Sequence, residues 1–91
     1  MILAKIYTYD VWGNAEDGYE VNNVYFNSTI ELEDTDFLDD EHLYWALIRE
    51  GVLAPDSKVS LDWQDEDLCY VDSSTDGEPL GEIRFFNEVS K

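Results

Sequence analysis

The sequence predicts an α+β domain, one helix packed on an antiparallel sheet of four or five strands in the order ββαβββ. Three observations carry that expectation. Val59, Leu61 and Trp63 alternate with Lys58, Ser60 and Asp62, the period of a half-buried strand. Leu43 and Leu47 lie four residues apart with Ala46 beside them, which is a helical stripe. The remaining apolar runs are short, rich in β-branched and aromatic residues, and broken by Gly, Asn and Asp.

The first strand is expected over residues 2–12. Ile6, Thr8, Asp10 and Trp12 alternate with Lys5, Tyr7, Tyr9 and Val11, so the second face carries two tyrosines. Gly13 and Gly18 bracket Asn14, Glu16 and Asp17, which is a turn signal. A second extended run covers residues 19–32, with Asn22-Asn23 marking a bulge or bend. Residues 31–41 then hold seven carboxylates in eleven positions. They lead into the helix, expected over residues 39–50. Asp39 or Asp40 supplies its cap, Tyr44 and Ile48 form a row beside the leucines, Arg49 sits in its last turn, and Gly51 ends it. Strands follow at 59–63, 68–71 and 81–89, the last with Ile83 and Phe85 on one face and Arg84 and Phe86 on the other. Residues 72–79 are a polar loop with a turn at Asp76-Gly77.

Ninety-one residues make one domain, residues 1–91, with no linker, repeat or low-complexity segment. Three Trp, six Tyr and four Phe set it apart from disordered acidic tails. Twenty-two Asp and Glu face five Lys and Arg, a formal net charge of −17. A globule of this length has a radius of gyration of about 12 Å, hence a diameter of roughly 30 Å. Duplex DNA carries as much charge in about 29 Å of its axis. Such charge repels nucleic acid and anionic membranes and attracts basic partners. Cys69 is alone, no apolar run approaches a membrane span, and the first residues lack a signal-peptide pattern. A cytoplasmic location is expected, with the oligomeric state left open.

Catalytic signatures are few. His42 and Cys69 are single, assemble no zinc set and sit in no nucleophile motif, so His42 reads as a surface residue and Cys69 as a packed strand residue. No phosphate-binding glycine loop or nucleophile elbow occurs, and a domain this small has little volume for the cleft a carboxylate-pair glycosidase needs. No enzyme activity and no cofactor are expected. Residues 72–78 resemble the first half of a calcium loop, but position 12 is Ile83 and Glu82 falls one residue early. A divalent-cation module using residues 62–67 and 72–78 is the alternative function.

The stretch from Tyr9 to Asn23, YDVWGNAEDGYEVNN, resembles the opening of small proteins found on phages and mobile elements. In charge and size the chain resembles the small acidic phage inhibitors of the DNA-mimic type, including anti-restriction and anti-CRISPR proteins. That resemblance implies a competitive inhibitor, acting in the cytoplasm of a host cell on a basic, nucleic-acid-binding protein. The candidate partner-binding carboxylates are Glu31, Glu33, Asp34, Asp36, Asp39, Asp40 and Glu41, joined by Asp62, Asp65, Glu66 and Asp67. In extended chain, carboxylates two residues apart project from one face at about 6.6 Å intervals, a row that a phosphate-binding groove can receive. Trp12, Tyr19 and Trp63 are the candidate aromatic anchors.

Overall fold

A long hairpin begins the chain. β1 (Ile2–Asn14) pairs antiparallel with β2 (Gly18–Leu32) along its whole length. Asn14 and Asp17 close the turn, the Asp17 N–H donating to Asn14 Oδ1 at 3.0 Å and Asn14 Nδ2 donating to Asp17 Oδ2 at 3.2 Å. Gly13 has φ +111°, and a Cβ there would lie 2.6 Å from the Gly18 carbonyl oxygen, so only glycine fits. The bulge expected at Asn22-Asn23 is found: Asp10 pairs with Asn23 and Val11 with Val21, leaving Asn22 as the extra residue. A second bulge, at Asn27, has no comparable cue in the sequence. The structure, a computed structural model, describes residues 2–37 and 39–87.

A 3-10 turn, Asp34–Phe37, precedes α1 (Asp40–Arg49). Asp39 is extended, and its side chain accepts the His42 N–H at 2.8 Å, which makes it the N-cap. At the other end Val52 N–H donates to Leu47 O and Gly51 N–H to Ile48 O, with Gly51 at φ +82°. These are the paired bonds of a Schellman stop. Leu43, Ala46 and Leu47 are the buried residues of the helix, as their spacing predicted.

β3 (Val59–Asp65), β4 (Leu68–Ser73) and β5 (Pro79–Asn87) complete one sheet of five antiparallel strands, in the order β2-β1-β5-β4-β3. Positions 88 and 89, expected in the last strand, lie outside the described residues. The core fills one face of the sheet, where Ala4, Ile6, Ile30, Leu32, Cys69, Val71, Ile83 and Phe85 meet the helix. Among the described residues no helix is long and apolar enough to cross a membrane.

β5 accompanies β1 only from Ile2 to Thr8. Beyond Thr8 the first hairpin continues as a two-stranded arm, residues 9–24. The break falls at Gly81, opposite Thr8, where a Cβ would run into the Tyr7 carbonyl oxygen. The arm makes the molecule longer than a 91-residue globule: its radius of gyration is 13.5 Å and its extents are 47 × 25 × 22 Å. The net charge of −17 therefore amounts to about one charge per 2.8 Å of the 47 Å axis. Glu88 and Lys91, outside the described residues, cancel in that sum. Duplex DNA carries one per roughly 1.7 Å. The equality expected from a 30 Å sphere becomes about three-fifths of the DNA density, because the charge is spread along the arm.

Candidate interaction surface

Strand direction gathers most of the sequence-predicted carboxylates at one end. β2 finishes at Leu32 beside Ile2, β5 finishes there too, and β4 starts at Leu68 beside Arg84. The chain leaving β2 and the β3–β4 turn therefore share the end opposite the arm. Two contacts tie that end together. Trp63 Nε1–H donates to Asp40 Oδ1 at 2.9 Å, joining the start of α1 to β3. Phe85 N–H donates to the Asp67 carbonyl oxygen at 2.9 Å. Glu31, Glu33, Asp34, Asp39, Asp40, Glu41, Asp65, Glu66 and Asp67 are all exposed here.

The row of carboxylates at strand spacing is not formed. β2 stops at Leu32, and Asp34 and Asp36 belong to the 3-10 turn, so at most Glu31 and Glu33 keep that spacing. Asp36 is buried at 8 % exposure. It accepts Arg49 Nη2 at 3.1 Å and the Glu33 N–H at 2.9 Å, and the guanidinium holds its carboxyl below the usual range. Its charge serves the fold. Asp62 points to the other face of the sheet, opposite Tyr70 on β4, where with burial it raises the carboxyl of Asp72.

The three aromatic anchors are separated. Trp12 is 56 % exposed near the tip of the arm, on the helix side of the sheet. Tyr19 lies opposite Gly13 with its phenol against Asp76, and partial burial and that carboxylate raise its pKa. Trp63 is at the far end, stacked on Phe85 with centroids 5.1 Å apart. The arm end carries its own acidic group, Asp10, Glu16, Asp17, Glu20 and Asp76, all exposed. Among the described residues, ion pairs engage only Asp36, Asp39, Glu50 and Glu82.

Glu82 was not singled out by its sequence position. It is 6 % exposed on the sheet face away from the helix, accepts the Tyr9 hydroxyl at 2.8 Å and pairs with Arg84. Burial and this carboxylate push the Tyr9 phenol up. The same face carries Lys5 over the Phe86 ring at 5.1 Å and Arg84 over the Tyr7 ring at 4.9 Å. Alternation groups Lys5, Tyr7 and Tyr9 on one face of β1 and Arg84 with Phe86 on one face of β5; the pairing of the two strands makes these one face, and nothing local foretells that Glu82 is buried there.

Cys69 is fully buried, and burial pushes its thiol up to about 12, so it is protonated and unreactive near neutral pH. His42 is exposed, and hydrogen bonding to Asp39 raises its pKa. Among the described residues no three His, Cys, Asp or Glu side chains gather around a point where a metal could sit. In the 72–78 loop three side-chain oxygens are engaged in the turn: Ser73 Oγ meets Thr75 Oγ1 at 2.8 Å and Asp76 Oδ1 accepts the Glu78 N–H at 3.0 Å. An apolar crevice of about 150 Å³ lies between helix and sheet, lined by Ile6, Leu47, Val52, Leu53, Val71 and Leu80. A shallower depression of about 430 Å³, lined by Asp36, Glu41, His42, Trp45, Ala46 and Arg49, lies on the outer side of the helix. Comparison with protein-family models, with curated proteins and with solved structures returns no match for this chain.

Proposed function

We propose that this protein is an acidic inhibitor that mimics DNA and occupies the nucleic-acid-binding surface of a basic protein, such as a CRISPR, restriction or repair enzyme. The observation that carries the reading is the exposed, largely unpaired group of carboxylates at the end opposite the arm. Carboxylates left without cationic partners of their own are available to Lys and Arg on another protein. Their attraction raises the rate of encounter, and the exposed aromatics add the short-range contacts that select one partner. Asp36, with its charge engaged by Arg49, has no part in it, and Asp39 and Asp40 divide their roles between cap, Trp63 contact and surface charge.

The test is charge reversal in a partner-binding assay. Glu33, Asp34 and Glu41 are exposed and hold no element together, so their triple change to Lys leaves the fold intact. Asp10, Glu16 and Glu20 are an equally exposed set on the arm. The long axis of 47 Å exceeds the Debye length of about 8 Å several times over, so the two sets act separately. The first triple should weaken binding to the basic partner at least about tenfold, a loss of roughly 1.4 kcal/mol. The second should cost much less. Equal losses would leave only bulk charge, and no loss from either set would remove the mimicry reading.

A further inference from the structure

The sheet has two edges of opposite character. β3 is seven residues long and carries Asp62 and Asp65. Short, charged edges are a common guard against pairing with other chains. β2 is fifteen residues long, and across positions 21–30 it contains no charged residue and no proline. In that stretch Val21, Val24, Tyr25 and Phe26 are 42, 47, 54 and 58 % exposed. The bulges at Asn22 and Asn27 leave residues 23–26 as a regular segment between them, with backbone groups on the outer side free to pair.

We propose that β2 is the interface of a homodimer, in which residues 24–26 of two copies pair antiparallel, edge to edge. The charge pattern selects this occupant. A basic partner is drawn to carboxylates, and this strand lacks them over ten positions in a chain where 22 of 91 residues are acidic. A second copy brings its own −17, so the strand that meets it has to be neutral. A two-fold axis through Tyr25, perpendicular to the sheet, keeps both helices on one side. It sets Tyr25 beside its own copy and Val24 beside Phe26 of the other copy. Val24 and Phe26 share the face away from the helix, since they lie opposite Tyr9 and Tyr7. Stable interfaces cover about a tenth of a small protein's surface, here roughly a tenth of 6021 Å². Half-exposed Val24, Tyr25 and Phe26, with the strand backbone, cover less than that, which sets the pair at the weak, reversible end of such interfaces. Glu20 and Glu31 flank the neutral stretch, so like charges meet at the ends of the interface and salt strengthens the pair.

Analytical ultracentrifugation at about 0.1 and 1 M salt, where the Debye length is about 10 and 3 Å, tests this. The wild type should sediment at twice 10.6 kDa, more completely at the higher salt. Tyr25→Asp puts a charge beside its own copy and should raise the dimer Kd at least about tenfold while circular dichroism stays unchanged. Tyr25→Cys should form a disulfide between copies on oxidation, with Cys69 buried and out of reach. A wild type that is monomeric at both salts up to millimolar concentration, a Tyr25→Asp protein that dimerises as well as wild type, or a Tyr25→Cys protein that fails to cross-link would each overturn the proposal. Mimicry is judged separately, because partner binding weakens with salt whereas this association strengthens. A monomer that still displaces DNA from a basic partner would remove the dimer alone.

Discussion

Asp34, Asp36 and Asp39 belong to one acidic run, yet their surroundings give them different roles. Asp36 is buried against Arg49 and also accepts a backbone N–H, so removing it leaves two donors without their acceptor. Asp36→Ala should lower unfolding free energy in urea by about 2 kcal/mol, whereas exposed Asp34→Ala should stay within about 0.5 kcal/mol of wild type. Equal costs would contradict the structural role given to Asp36. Asp39 caps the helix and holds His42 Nδ1 at 2.7 Å. Backbone and side-chain hydrogen bonds from His42 lower the Asp39 carboxyl, and Asp39 in turn raises His42. The lowered carboxyls of Asp36 and Asp39 stabilise the fold above the unfolded value of roughly 4, and that contribution is lost as pH falls through their folded values. The raised imidazole stabilises below its unfolded value of roughly 6.5, and its contribution is lost as pH rises through the higher folded value. Both are therefore present between about pH 4 and 6.5. Asp39→Asn keeps the cap but removes the charge, so His42 followed by NMR should titrate at lower pH than in wild type. An unchanged midpoint would show that Asp39 is not what raises it.

At the scale of elements, local patterns were sufficient where local chemistry decides. The helix expected at 39–50 is found as Asp40–Arg49 because its cap, leucine stripe and Gly51 stop all act within one segment. The bulge at Asn22-Asn23 and the faces of β1 and β5 were legible for the same reason. The arm was not. Alternation in residues 2–12 describes β1 equally well where β5 flanks it and where it does not, and the break depends on Gly81 meeting Thr8 across the sheet. Nor was the burial of Glu82, whose partner Tyr9 is 73 residues away. Among the candidate site residues, composition marked the acidic run but could not separate Asp36 from its neighbours, since that rests on Arg49 thirteen residues later. Hydrogen exchange should reveal the arm directly: amides of residues 9–14 should exchange faster than those of residues 4–8, which have a strand on both sides. Uniform protection along β1 would contradict a two-stranded arm. Ser73, Thr75 and Asp76 oxygens are engaged within the 72–78 turn, so calorimetry with calcium should find no saturable site tighter than about millimolar.

For the whole molecule, a net charge of −17 on a body 47 Å long implies strong self-repulsion. Adding salt should therefore raise the thermal midpoint, and a midpoint that falls with salt would mean that the few ion pairs outweigh the repulsion. The same charge defines the proposed activity. Carboxylates at the end opposite the arm have to meet a surface that otherwise holds phosphates, so this protein and DNA should exclude one another there. The most direct measurement is displacement of labelled duplex DNA from a partner captured at low salt. The account predicts that the wild-type protein displaces the duplex to completion, and that the Glu33, Asp34 and Glu41 to Lys variant does so at least about tenfold less effectively. A partner that binds this protein and its DNA simultaneously, with no displacement at saturation, would contradict it.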